Sequence, residues 1–160
     1  QSSPNELSTL ANLAWAQRPH FVMTGGDHVS DGTVKEQWTG HFFANMHPLI
    51  SRAALIPTLG NHDKDSPYYY EYFALPAPEY CYSFRYGNLE VFLLDSQRFL
   101  REGSEQYVWA EGALKASKAD WKIVCFHKVP YSSDFDDYGA TDKVRTGGGD
   151  PALRRILPMF

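Results

Sequence analysis

Cysteine is scarce in this sequence: Cys81 and Cys125 are the only two, at a spacing that matches no metal-binding pair. Two thiols make no disulfide framework, and both read as small buried residues, the ordinary role of free cysteine in a core. They leave the cellular compartment open. Basic charge is also short, since 15 Lys and Arg against 19 Asp and Glu give a formal net charge of -4 and a pI near 5.8. Without a basic excess there is little to neutralise a phosphate backbone, which argues against nucleic-acid binding as the main activity. A small phosphorylated substrate stays open as a partner. No apolar run approaches the roughly 18 residues that suggest a membrane span. No repeat or low-complexity linker divides the 160 residues, so one domain, or most of one, is the reading.

What is present is an ordinary globular composition, 43% hydrophobic and 21% charged. Leu7, Leu10, Leu13 and Ala14 repeat at helical spacing and predict a helix over 6–17, closed by Arg18 and Pro19. Residues 20–24 form a short apolar run ending at Gly25 and Gly26, as a buried strand entering a tight turn does. A helix is predicted over 35–46 and a second short strand over 54–59, ending at Gly60. Between 80 and 95 two strand-like runs flank Tyr86, Gly87 and Asn88, the chemistry of a hairpin turn. A helix over 106–118 and a strand over 121–126 follow, and residues 138–150 read as one long loop. This alternation predicts an α/β layered fold with some antiparallel pairing.

Three polar clusters follow directly after strand-like runs: Gly26-Asp27-His28-Val29-Ser30-Asp31-Gly32, Gly60-Asn61-His62-Asp63 and Phe126-His127-Lys128-Val129-Pro130. Ligands of α/β sheets bind beyond the carboxyl ends of the strands, so clusters placed there can converge on one site. Asp, Asn and His together form a hard-to-borderline oxygen and nitrogen donor set, suited to Zn, Mn or Fe rather than to a metal that prefers thiolates.

These residues, in this order, resemble the motif series of the calcineurin-like metallophosphoesterase superfamily, over about 19–160. The runs at 89–95 and 121–127 resemble its purple-acid-phosphatase-like branch. The resemblance implies a four-layer α/β/β/α sandwich with mixed sheets, incomplete in this chain, with one phosphoesterase domain over 1–160 truncated at both ends. It implies two divalent or trivalent metal ions, Fe, Zn or Mn, with Asp27 bridging them and Asn61 and His127 completing one side of the second metal's shell. His62 resembles the histidine that faces the substrate, stabilising the phosphoryl group or protonating the leaving oxygen, and Asp63 would orient His62 through a hydrogen bond. The implied reaction is hydrolysis of phosphate esters, phosphomonoesters foremost, by a hydroxide bound to two metals about 3.5–4 Å apart. A phosphodiesterase of the same fold and a catalytically silent binding domain are the alternatives. Many relatives are secreted or periplasmic, and the resemblance alone implies the same here.

Two departures qualify the resemblance. Purple acid phosphatases place a metal-binding tyrosine three residues after the bridging aspartate, where this sequence has Ser30. The first Asp-containing ligand motif and the late Gly-His-x-His motif also have no counterpart between 1 and 160, so the isolated chain is expected to bind metal weakly, hydrolyse little and be marginally stable. Other polar residues have plainer readings. His20, His41 and His47 lie outside the motifs, while His28 follows Asp27 closely enough to line the pocket. Asp31 reads as a turn residue first and a site residue second. Asp134, Asp136 and Asp137 lack the glycine and terminal glutamate of an EF-hand loop and read as solvated. Tyr68, Tyr69, Tyr70, Tyr72 and Phe73 read as a packed lid or as a stacking wall for substrate.

Overall fold

A computed structural model describes residues 4–98, 100–132 and 149–160. The chain falls into two compact units, Gln1–Ala74 and Leu75–Phe160.

In the first unit, helix α1 (Pro4–Ala16) packs on α2 (Ala44–Ile50). Ala11 is its fully buried contact, while Leu10 and Leu13 are more than half exposed, so the apolar spacing located the helix without giving its buried face. Strand β1 (Phe21–Thr24) pairs in parallel with β2 (Ala54–Pro57), from Phe21 opposite Ala54 to Thr24 opposite Pro57. Parallel neighbours need a crossover. Here it is a continuous helical stretch whose middle, Gln37–Phe43, is wound as a π-helix before α2. Trp38 and Phe42 point from that segment into the core, where Phe73 meets Trp38 and Tyr69 packs on Phe73. Helix α3 (Pro67–Tyr72) supplies Tyr69, and it starts where the Ser66 hydroxyl accepts the Tyr68 N–H at 3.3 Å. Proline in its first turn costs nothing, because that N–H has no helical partner anyway.

In the second unit, β3 (Tyr82–Tyr86) and β4 (Leu89–Leu93) form the predicted hairpin, with Tyr82 opposite Leu93 and Tyr86 opposite Leu89. β5 (Trp121–Cys125) joins β4 in parallel after the crossover helix α4 (Glu105–Ala116). The central strand is the most enclosed: Val91, Phe92, Leu93 and the following Leu94 have no exposure at all. Beside it, Cys81, Leu94, Leu100 and Ala110 close a core with Leu153 and Ile156 of α5 (Pro151–Ile156), which a single 3₁₀ turn, Leu157–Met159, follows. Both cysteines are free thiols. Burial, reinforced by the charges of Glu105 and Asp95, pushes the Cys81 thiol up to about 11, as befits a packing residue. The fold class is mixed α/β with parallel and antiparallel pairing, as the sequence predicts.

Candidate functional site

In the first unit the parallel pairing of β1 with β2 delivers two loops to one end of the sheet, 25–28 after β1 and 58–63 after β2. They touch backbone to backbone. A Cβ on Gly26 would lie 2.6 Å from the Gly60 nitrogen, and one on Gly60 would overlap the Asp27 nitrogen and carboxylate. Gly26 also has φ +93°, a conformation that disfavours any side chain. Asp27 itself sits at φ 56°, unusual for a residue other than glycine, asparagine or aspartate, and its Oδ1 accepts the His62 N–H at 2.9 Å. Asn61 therefore lies between the two residues that touch Asp27.

Asp63 fastens this junction. It has no solvent exposure; its Oδ2 accepts from Gly60 N at 2.8 Å, Asp27 N at 3.0 Å and His28 Nδ1 at 3.0 Å, and its Oδ1 accepts from His28 N at 2.9 Å. Burial alone would raise its pKa, but the His28 side chain and the backbone N–H groups outweigh burial and hold it below the usual carboxylate value. The partner of Asp63 is thus His28 and not His62, which corrects the role expected from sequence. A carboxylate only accepts, so the Nδ1 of His28 carries the proton, and its Nε2 meets Thr24 Oγ1 at 2.7 Å. The His28 side chain is 1% exposed and lies against the rings of Phe42 and Phe73 at 5.0 and 5.7 Å.

His62 is oriented differently. Its Nδ1 donates to the Ser30 carbonyl at 2.8 Å, while the residue as a whole is exposed. Ser30 is held in turn, because Gln37 Oε1 accepts the N–H groups of Ser30 at 2.9 Å and Asp31 at 3.0 Å. Gln37 escaped the sequence reading, which carried no signal for it beyond its place at the start of the helical crossover. Asp31 is a turn residue: Oδ1 accepts the Thr33 N–H and hydroxyl, and Oδ2 pairs with Lys64 at 2.6 Å. The Lys64 contact first, and then Thr33, lower the Asp31 carboxyl to about 2. A cavity of about 760 Å³ borders the junction and is lined by Thr24, Asp27, His28 and, unexpectedly for a residue outside the motifs, His41. The tyrosine cluster is largely packing: Tyr69 is buried and Tyr68 stacks on Tyr72, with ring centroids 6.1 Å apart.

In the second unit His127 stands two residues beyond the carboxyl end of β5, half-buried. The neighbouring Lys128 N–H donates to Ser96 Oγ at 2.9 Å, tying this loop to the one that follows β4. Buried Asp95 organises that second loop, accepting from Gln97 N at 2.8 Å and pairing with Arg98 Nε at 3.2 Å. Asp134, Asp136 and Asp137 lie outside the described residues.

The sequence profile of the calcineurin-like phosphoesterase family matches residues 2–158. The chain belongs to that family. This calcineurin-like phosphoesterase chain is similar to proteins named as purple acid phosphatases. It is 26% identical, over an alignment covering 83% of it, to each of two Arabidopsis thaliana proteins named probable inactive purple acid phosphatase 27 and probable inactive purple acid phosphatase 24. It spans only 26% of the length of either. The structure of a purple acid phosphatase from yellow lupin (Lupinus luteus) seeds matches its fold with a TM-score of 0.70 at 23% identity, over 81% of this chain and 27% of that one.

The donor chemistry of this phosphoesterase chain fits a hard or borderline metal ion in kind. Asp27 and Asn61 are oxygen donors on interlocked turns of the first unit, and His127 offers a ring nitrogen at a strand end of the second. Among the described residues no group of three His, Cys, Asp or Glu side chains is placed to hold a metal ion.

Proposed function

We propose that this protein is a metal-dependent hydrolase of phosphate esters, acting foremost on small phosphomonoesters. The observation that carries the reading is the junction of the two loops, where the Asp27 carboxylate receives the His62 N–H while Asp63 holds both loops by four hydrogen bonds. A purely structural turn has no need of a carboxylate facing the backbone of an exposed histidine on the neighbouring loop. In this reading Asp27, Asn61 and His127 hold divalent or trivalent ions, two by the family's pattern, drawn from Fe, Zn and Mn. Bound ions of this kind supply Lewis acidity and neutralise charge on the phosphoryl oxygens.

The chain's own residues do the rest. Asp63 and His28 fix the backbone of both loops, so Asp27 needs no rearrangement to act as a ligand. With its Nδ1–H held by the Ser30 carbonyl, His62 in its imidazolium form would turn an Nε2–H to a substrate, either stabilising phosphoryl charge or giving that proton to the leaving oxygen. Ser30 stands where purple acid phosphatases carry their metal-binding tyrosine, so no tyrosinate absorption band is expected.

A catalytically silent domain is the second reading, favoured by the word inactive in the names of both curated relatives. Hydrolysis of nitrophenyl phosphate and of bis-nitrophenyl phosphate by the full-length protein, before and after chelation, separates them. Monoester turnover that exceeds diester turnover and returns when Zn, Mn or Fe is restored supports the proposal. Inertness toward both esters with metal present sinks it.

A further inference from the structure

We propose that Gln37 is a positioning residue for His62, acting through the peptide that joins Ser30 to Asp31. The inference rests on the hydrolase reading for its chemistry and deepens it by naming what aims the histidine. His62 is exposed, yet the facing loop holds it at three points. Its N–H donates to Asp27 Oδ1 at 2.9 Å, its carbonyl accepts the Gly32 N–H at 2.8 Å, and its ring Nδ1 donates to the Ser30 carbonyl at 2.8 Å. The first two bonds fix the backbone, and the third fixes the ring.

The direction of that third bond is set by the Ser30 carbonyl. A peptide unit is planar and trans, so the Ser30 carbonyl and the Asp31 N–H point opposite ways along one rigid plate. Whatever holds the N–H aims the carbonyl. Gln37 Oε1 holds it at 3.0 Å and takes the Ser30 N–H as well, at 2.9 Å. An amide oxygen has two lone pairs, so this one half-buried side chain can clamp both N–H groups of the turn. The chain of bonds from Gln37 through the peptide to the imidazole is also one in which each bond polarises the next. A second clamp comes from the adjacent residue, because fully buried Trp38 donates its Nε1–H to the Gly32 carbonyl at 2.9 Å. Two successive residues at the start of the π-wound segment thus grip the turn that holds His62, and such winding recurs at functional sites. The turn lies directly on the histidine's loop, since a Cβ on Gly32 would overlap the Asp63 carbonyl. With Nδ1–H committed to Ser30, the proton for a leaving oxygen is carried on Nε2, and its direction follows from the same peptide.

Two measurements on the full-length protein test the proposal, with Gln37→Met removing the acceptor at nearly constant volume and Gln37→Glu keeping it. In the metal-loaded enzyme, Gln37→Met is expected to lower turnover of glycerol phosphate roughly tenfold through kcat, with KM and bound metal nearly unchanged, and Gln37→Glu to restore it. The leaving-group dependence of the loss should follow that of His62→Ala. Adding Gln37→Met to His62→Ala should cost nothing more, because residues that act through one another are not additive. Nitrogen NMR of the chelated protein, at a pH where imidazole is neutral, gives a readout without turnover. The His62 proton is expected on Nδ1 in the wild type and Gln37→Glu, and mostly on Nε2, its usual place in free histidine, in Gln37→Met. A proton that stays on Nδ1 in Gln37→Met, full additivity in the double variant, or lost metal that accounts for the lost turnover overturns the proposal. An inert wild type would sink the hydrolase reading alone, since the NMR result decides the positioning by itself.

Discussion

Asp63 accepts four hydrogen bonds while fully enclosed, so Asp63→Ala strands three backbone N–H groups and the His28 ring inside the first unit. Leaving such groups unpaired is expected to lower the unfolding free energy by about 3 kcal/mol, read from urea titrations; a loss under about 1 kcal/mol would contradict this geometry. The pH dependence has a definite sign. The folded pKa of Asp63 lies below its ordinary value, so the unfolded chain takes up the proton first as acid is added. Its contribution is whole above the unfolded pKa of about 3.9 and vanishes as pH falls through the folded value. The urea midpoint of the wild type should therefore drop on acidification below about pH 4, more steeply than that of Asp63→Ala. Equal slopes would refute the assignment. His62 has its own signature. If it protonates the leaving oxygen, His62→Ala costs roughly 100-fold or more with poor leaving groups and little with aryl esters that leave unaided. A loss independent of the leaving group would make it a charge stabiliser instead. The family resemblance implied Asp63 as partner to His62, but the Asp63 carboxylate turns to the other loop instead. The true partner, His28, is 35 positions away, on the loop that touches it.

At the scale of elements, one glycine in the loop junction and one in a helix make opposite predictions. Gly26→Ala meets both a positive φ and the Gly60 backbone, which cannot move aside, and should destabilise by about 2 kcal/mol or more. Gly112 is exposed in the interior of α4 with open space around it, so Gly112→Ala should stabilise by about 0.5–1 kcal/mol. Thermal unfolding of both checks the pair; a harmless Gly26→Ala would mean that the loops are not in contact. The same elements show what the sequence could and could not reveal. The strand over 54–59 ends earlier as a ladder, at Pro57, although the Thr58 N–H still reaches the Thr24 carbonyl at 3.1 Å. The predicted helix over 35–46 continues to Ile50 and is π-wound over seven residues, a widening that apolar spacing does not encode. Helices α3 and α5, six residues each, were too short for periodicity, yet both begin with a capping residue followed by proline, Ser66-Pro67 and Asp150-Pro151, a legible start signal.

Across the whole molecule, the proposed ligands are divided, with Asp27 and Asn61 in the unit Gln1–Ala74 and His127 in the unit Leu75–Phe160. The motif order was readable because each ligand follows a strand, whereas Gln37, Thr24 and His28, which shape the surroundings, belong to no spacing rule. Metal should couple to stability by mass action, raising the melting temperature of the wild type with rising Zn or Mn and leaving that of Asn61→Ala nearly still. Equal shifts in both would place the ions elsewhere. The most direct test is hydrolysis of a phosphomonoester with a poor alkyl leaving group, such as glycerol phosphate, by the full-length protein with bound metal counted, for wild type, Asn61→Ala and His62→Ala. The account predicts activity that requires about two metals per chain, metal lost mainly in Asn61→Ala, and turnover collapsed in both variants. A wild type loaded with metal but inert, or a His62→Ala variant as active as the wild type, would contradict it.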